Sequence, residues 1–316
     1  MRCVVKVRHL SIRSGNQVLP LTDSTTDVIF GTHPIAAALA FGSREFINAR
    51  VALGGDTDGS LSAWMRARRI IVSRGERASL DTLSRGGVHQ GVVARVHPLE
   101  IPELAAGTAP SDMVFTSPSR IPLLIALDGV TDPQNVGAVL RSALLLDADG
   151  MLLPLRGGPP LSGTVSKASA GALEAWAASG GLWATRGALA GWLGAARAAG
   201  WRVLGAAGDD RTGITPRLPF SQLTRNTPTI LVLGAEGAGL KNAVRDTCDA
   251  LIALPTPGLS RVTLLAAQTR KRLEMATTNT TTTTNTSTIP LPILPLPDSL
   301  NVSVAAALLI QKLAHL

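Results

Sequence analysis

Short apolar runs separated by polar turns recur along most of this chain. From Asp27 to about Pro98, Val28-Ile29-Phe30, Ile70-Ile71-Val72 and Gly91-Val92-Val93-Ala94 read as strands, with a helix near Pro34–Ala40. That mixture predicts a small α/β domain over residues 27–98. A second region opens at Leu123-Leu124-Ile125-Ala126-Leu127, an unbroken apolar run of the kind found in a strand covered on both faces. A turn over Asp128–Asn135, a helix over Val136–Leu146 and a strand at Met151-Leu152-Leu153 follow. Further runs at Arg202-Val203-Leu204, Ile230–Leu233 and Ala250–Leu254 alternate with helical stretches near 187–199 and 239–246. Such alternation predicts an α/β fold with a doubly wound parallel sheet and helices on both faces.

Two stretches carry neither period. Residues 99–120 are rich in Pro, Ser, Thr and Gly, the composition of a linker. Thr277–Thr288 contains only Thr, Asn and Ser, and Ile289–Pro297 places proline at every second or third position. Neither tract can bury a face or hold a strand ladder, so 259–298 reads as a disordered insert within a domain spanning 121–316. Its composition differs from both flanks, as a translated non-coding stretch would.

With 316 residues, 45% of them apolar, the chain has material for a large core and for two domains. No apolar run is long enough to cross a bilayer. Cys3 and Cys248 lack ligand spacing, and the five histidines form no metal motif, so neither a disulfide framework nor a metal site is expected. The net charge of +8 is uneven, since residues 1–110 hold 13 Lys/Arg against 9 Asp/Glu and residues 111–250 hold 12 against 11. Arg66, Arg68, Arg69 and Arg74 form a basic cluster suited to a phosphate backbone, and a single arginine there would equally suit a solvated face. Residues 1–26 carry Arg2, Lys6, Arg8 and Arg13 with no acid before Asp23, the bias of a mitochondrial transit peptide.

Three strings carry candidate chemistry. Asp128–Ala143 places Asn135 and Arg141 along the start of one helix, whose N-terminus is a potential anion site. Leu231–Leu240 runs a strand into the glycine-rich turn Gly234-Ala235-Glu236-Gly237-Ala238-Gly239, with one acid that reads as buried. This is not a dinucleotide fingerprint, because both spacing and position are wrong. Ser299-Leu300-Asn301 precedes a small-residue helix that Ser299 could cap.

In this order the strings resemble those of the SpoU-type RNA 2′-O-ribose methyltransferases of the knotted SPOUT superfamily. The resemblance covers about 121–258 and 299–316, with Lys167-Ala168-Ser169-Ala170-Gly171-Ala172-Leu173-Glu174 similar to a further family segment. Phe30–Ile35 and His89–Ala94 resemble the opening and closing strings of the small substrate-binding domain of the rRNA-modifying branch, and the mitochondrial large-subunit rRNA enzymes are nearest in character. The resemblance implies a trefoil knot, a homodimer whose subunits complete each other's sites, and S-adenosylmethionine as cofactor. Leu233, Gly234, Gly237, Ile252, Leu254, Ser299 and Leu300 would hold the cofactor. Asn135 and Arg141 would lie near the target ribose, Glu236 would act as a positioning acid, and Ser299 and Asn301 would complete the site. The implied reaction is 2′-O methylation of an rRNA guanosine in the mitochondrial large subunit. A tRNA ribose methyltransferase and an inactive, RNA-binding ribosome-assembly factor are the other readings. The forty residues that split the third motif favour the latter.

Overall fold

The structure is a computed structural model that describes residues 26–56, 59–104, 110, 113, 120–154, 157–185, 187–207, 215–254 and 300–315. The first region folds around four strands, β1 (Asp27–Phe30), β2 (Phe46–Ala52), β3 (Ile71–Gly75) and β4 (Val92–Val96), in the order β1-β4-β2-β3. β4 pairs antiparallel with β1 and β2, and β2 pairs parallel with β3. Helices α1 (Thr32–Phe41), α2 (Ser60–Ala67) and α3 (Arg77–Leu83) accompany this sheet. Its main core joins Ile29, Ile35, Leu39, Met65, Val92 and Val96.

The second region is an eight-stranded sheet, parallel at every described pairing, in the order β10-β12-β9-β11-β6-β7-β8-β5. The strands are β5 (Glu103–Leu104), β6 (Leu123–Asp128), β7 (Gly150–Pro154), β8 (Leu182–Thr185), β9 (Arg202–Ala206), β10 (Arg217–Pro219), β11 (Thr229–Gly234) and β12 (Ala250–Ala253). The unbroken apolar runs have a simple cause. Leu123, Ile125 and Leu127 of β6 enter one core while Leu124 and Ala126 enter the other, and β11 divides likewise. Burying each leucine or isoleucine on these strands is worth about 1.5–3 kcal/mol. Helices α4 (Pro133–Leu145), α5 (Gly163–Ala168), α6 (Ala172–Ser179), α7 (Leu189–Ala198), α8 (Asn242–Arg245) and α9 (Val302–Ala314) cover the faces.

Several expectations change. The stretch expected to be a linker contributes β5, which extends the large sheet, and Leu99 and Ile101 pack on its core. α4 starts at Pro133 rather than Val136, because Pro133 takes the first helical position and the Asp132 carboxylate accepts from the amides of Gln134 and Asn135 at 3.1 and 3.3 Å. The helix expected near 239–246 is only the four-residue α8. The pattern gave no notice of β2, β8, β10, α2, α3, α5 or α6. Residues 1–25, the insert 259–298 and Ser299 lie outside the described residues.

The two regions interlock. Arg44, fully buried, donates from Nε to Glu174 Oε1 at 3.1 Å, from Nη1 to Asp27 Oδ2 at 3.0 Å and from Nη2 to the Leu161 carbonyl at 3.2 Å. Ser166 Oγ donates to the same Glu174 oxygen at 2.7 Å. Backbones approach so closely that a Cβ on Gly163 would stand 1.9 Å from the Val28 carbonyl oxygen. Gln90 Oε1 accepts from Lys167 Nζ at 2.7 Å and from the Thr32 amide at 3.2 Å. The three strings that begin at Phe30, His89 and Lys167 therefore meet at this seam, where burial lowers the pKa of Lys167.

Candidate functional site

After β7 and β8 the chain returns to build β9 and β11 on the opposite side of β6. The junction between β6 and β11 is thus a topological switch point, and in such sheets ligands gather at the carboxyl ends of the strands there. Asn135 follows β6 and Glu236 follows β11. Asn301, which caps α9 in place of the Ser299 expected there, stands between them.

Asn301 Oδ1 accepts from the Ser303 amide at 2.9 Å and from Ser303 Oγ at 2.6 Å. That cap fixes the amide, whose Nδ2 donates to Asn135 Oδ1 at 3.1 Å and to Glu236 Oε2 at 3.3 Å. One residue from each of the three strings thus meets in a single network, although Asn301 lies 65 positions beyond Glu236 and 166 beyond Asn135. With its oxygen engaged, Asn135 is left to donate outward from its own Nδ2. Glu236 is exposed, not buried as its setting suggested, because its turn projects beyond the sheet.

The glycines of that turn have separate causes. A Cβ on Gly234 would lie 2.4 Å from the Gly239 carbonyl carbon, and Gly237 and Gly239 adopt left-handed φ values of 75° and 68°. Behind the turn, buried Asp128 accepts from the Lys241 amide at 2.7 Å and faces Lys241 Nζ at 3.4 Å. Asp128 ties the loop after β6 to the loop after β11. Sequence reasoning passed over it, though an acid closing an apolar run was the available signal.

The remaining candidates divide. Leu233, Gly234 and Ile252 are buried at the strand ends, Leu254 is half-buried, and Gly237 and Leu300 are exposed. Arg141 does not join Asn135: six residues at 100° each leave the two about 120° apart around α4, and Arg141 is exposed, with no hydrogen bond or ion pair to another described residue. The start of α4 is not an open anion site, because Asp132 already occupies its amides. Arg66, Arg68, Arg69 and Arg74 are all exposed, with the Arg68 guanidinium 5.6 Å from the centre of the Trp64 ring. His89 is buried and bonded to Asp81 and to the Gly91 amide, which makes it a structural residue. Burial pushes the Cys248 thiol up to about 12, so it offers no thiolate nucleophile. Among the described residues no His/Cys/Asp/Glu cluster could hold a metal, and no helix is long and apolar enough to cross a membrane.

The site is thus formed by three loops that meet at the strand ends of a parallel sheet, in a chain that also carries a small mixed-sheet domain. The pattern of the SpoU rRNA Methylase family matches residues 122–262, and that of RNA 2′-O ribose methyltransferase substrate binding matches 28–102. The chain belongs to the SpoU rRNA methylase family and is an RNA methyltransferase. It is 35% identical over 243 residues to the human mitochondrial rRNA methyltransferase 1, covering 73% of this chain and 65% of that one. It is 33% identical to the 23S rRNA (guanosine-2′-O-)-methyltransferase RlmB of Photobacterium profundum, covering 74% of this chain and 90% of that protein. The AdoMet-bound rRNA methyltransferase of Sinorhizobium meliloti shares the fold at a TM-score of 0.59 and 18% identity, over 92% of this chain and 87% of that one.

Proposed function

We propose that this chain methylates the 2′-hydroxyl of a guanosine in large-subunit rRNA, with S-adenosylmethionine as donor. The observation that carries the reading is the Asn135–Asn301–Glu236 network at the switch point. The cofactor fits the residues present. Gly237 and Gly239, with open space where a Cβ would stand, present the backbone of the turn to a ligand, and the half-buried Leu254 and exposed Leu300 offer apolar surface on the neighbouring loops. When bound there, the cofactor supplies an electrophilic methyl group on a sulfonium.

The chain's own groups do the positioning. Transfer to a ribose hydroxyl is an in-line displacement, so holding the oxygen on the methyl axis supplies much of the acceleration. Asn135 Nδ2 and Glu236 orient the ribose, and Asn301 keeps both in place. Arg141, whose planar guanidinium can grip two oxygens at once, clamps a phosphate or the developing oxyanion, and the hydroxyl proton passes to solvent water. Ser299 completes the site from the residue before Leu300.

Arg141 serves a second subunit. It shares an exposed face of α4 with Leu145, one turn on, and the neighbouring α9 exposes Val304 and Leu308 four residues apart, with Leu300 exposed just before the helix. An apolar stripe of this kind is expected to be covered, and a twofold homodimer would cover it while delivering Arg141 to the partner's site. Arg66, Arg68, Arg69 and Arg74 dock RNA through its phosphates. The basic segment 1–26 directs the chain to mitochondria, in keeping with the human relative.

The test is ribose-methylation mapping of mitochondrial large-subunit rRNA in cells with and without the gene. One guanosine should lose its 2′-O-methyl group on deletion and regain it with the wild-type chain. Loss of a mark in tRNA instead would move the assignment to the tRNA enzymes. An unchanged map, together with RNA binding by the purified chain, would favour an assembly factor.

A further inference from the structure

A cavity of about 560 Å³ opens at the carboxyl ends of β6, β7 and β8, within the range of small-ligand sites. Its walls include Leu127, Val136, Leu153 and Leu161, and Glu100 and Glu103 line it from the segment leading into β5. Val136 follows Asn135 on α4, so the cavity and the ribose-positioning network both draw on the first turn of that helix. Among the described residues of the cofactor loops, none lines it.

The chemistry is selective. Apolar walls suit the faces of a flat ring, and the only charged groups among its described lining residues are the two carboxylates. In an RNA-binding protein of net charge +8, a pair of acids repels phosphate and so suits only a group that brings donors. Guanine alone among the four bases presents two adjacent donors, N1–H and the N2 amino group, on its Watson–Crick edge. Adenine, cytosine and uracil each place an acceptor beside their one donor group, and a carboxylate would repel it.

We propose that this cavity receives the base of the target guanosine, with Glu100 and Glu103 accepting from its Watson–Crick edge. The base leaves its stack to enter, as in other enzymes that enclose their target nucleotide. The inference rests on the reading of the chain as an rRNA ribose methyltransferase.

The probe is an in vitro transcript of the large-subunit rRNA whose methylated nucleotide is first mapped and then replaced by inosine through splinted ligation. Inosine keeps N1–H and lacks the amino group, so the wild-type kcat/KM should fall about 10- to 100-fold, as for the loss of a hydrogen bond to a charged group. In the Glu100→Ala, Glu103→Ala variant, guanosine and inosine should react within about threefold of each other, for the same reason. Cofactor affinity, read by calorimetry, should stay at the wild-type value, and because Glu103 also interacts within the fold, exposed Glu100→Ala alone, which should narrow the preference for guanosine severalfold, keeps the test independent of stability. A variant that keeps the full preference for guanosine overturns the proposal, as does a mapped target other than guanosine, while methyl transfer itself stands. A wild-type chain that methylates nothing overturns the reading beneath it, and the proposal with it.

Discussion

Replacing Arg141 by alanine should reduce methyl transfer about 100-fold or more, the usual loss when a group that meets developing charge is removed. The folding transition and cofactor affinity should scarcely move. Arg141 is exposed on α4 and has no partner among the described residues whose loss would destabilise the fold. Arg141→Lys should recover little, because an ammonium lacks the planar fork that grips two oxygens. Wild-type turnover in the alanine variant would remove Arg141 from the reaction. The same variant tests the shared site. Arg141→Ala and Glu236→Ala chains, each inactive alone, should recover about a quarter of wild-type activity when unfolded and refolded together, since half the dimers are mixed and each holds one intact site. No recovery would place Arg141 and Glu236 in a site built by one chain.

The largest effect on stability is expected at Arg44. Arg44→Ala leaves the fully buried Glu174 carboxylate without its counter-charge, and breaking a buried pair from one side costs about 3–5 kcal/mol. Chemical denaturation should show the midpoint falling. Removing both charges together, Arg44→Met with Glu174→Leu, should restore most of the loss, because no charge then stays buried alone. If the single variant unfolds like the wild type, the Arg44 cluster does not hold the regions together. Removing residues 27–98 would expose Glu174, Gly163 and Gly171 to water, so deletion of the small domain should destabilise the rest of the chain.

How far the sequence could be read depended on side-chain size and on topology. β6 and β11 were legible because both faces are buried, which forces an unbroken apolar run. α5 and α6 were not, because they approach the small domain so closely that Gly163, Ser166 and Gly171 stand where larger apolar residues would have marked a helix. The start of α4 differs from the pattern's boundary because Asp132-Pro133 reads as a turn and equally as a cap followed by a first-turn proline. Asn135, Glu236 and Asn301 were visible as strings. That they touch depends on β11 lying beside β6, which no local pattern encodes. Asn135 and Arg141 share one helix, but a spacing of six residues turns them about 120° apart, which membership of the helix does not by itself show.

The interlocked seam gives the molecule the character of a caliper. Gly163 against Val28 and the Arg44 cluster leave the small domain no hinge, so the span between the arginines of α2 and β3 and the network at the switch point is set by the fold. A rigid span selects a nucleotide by its distance from a feature docked elsewhere on the RNA, which suits a chain with 3% aromatic residues and few surfaces for stacking bases. Lengthening the helix between the docked feature and the target by one base pair should therefore abolish modification while the transcript still binds. Methylation that follows the target to its new position would show that local sequence, and not distance, makes the choice.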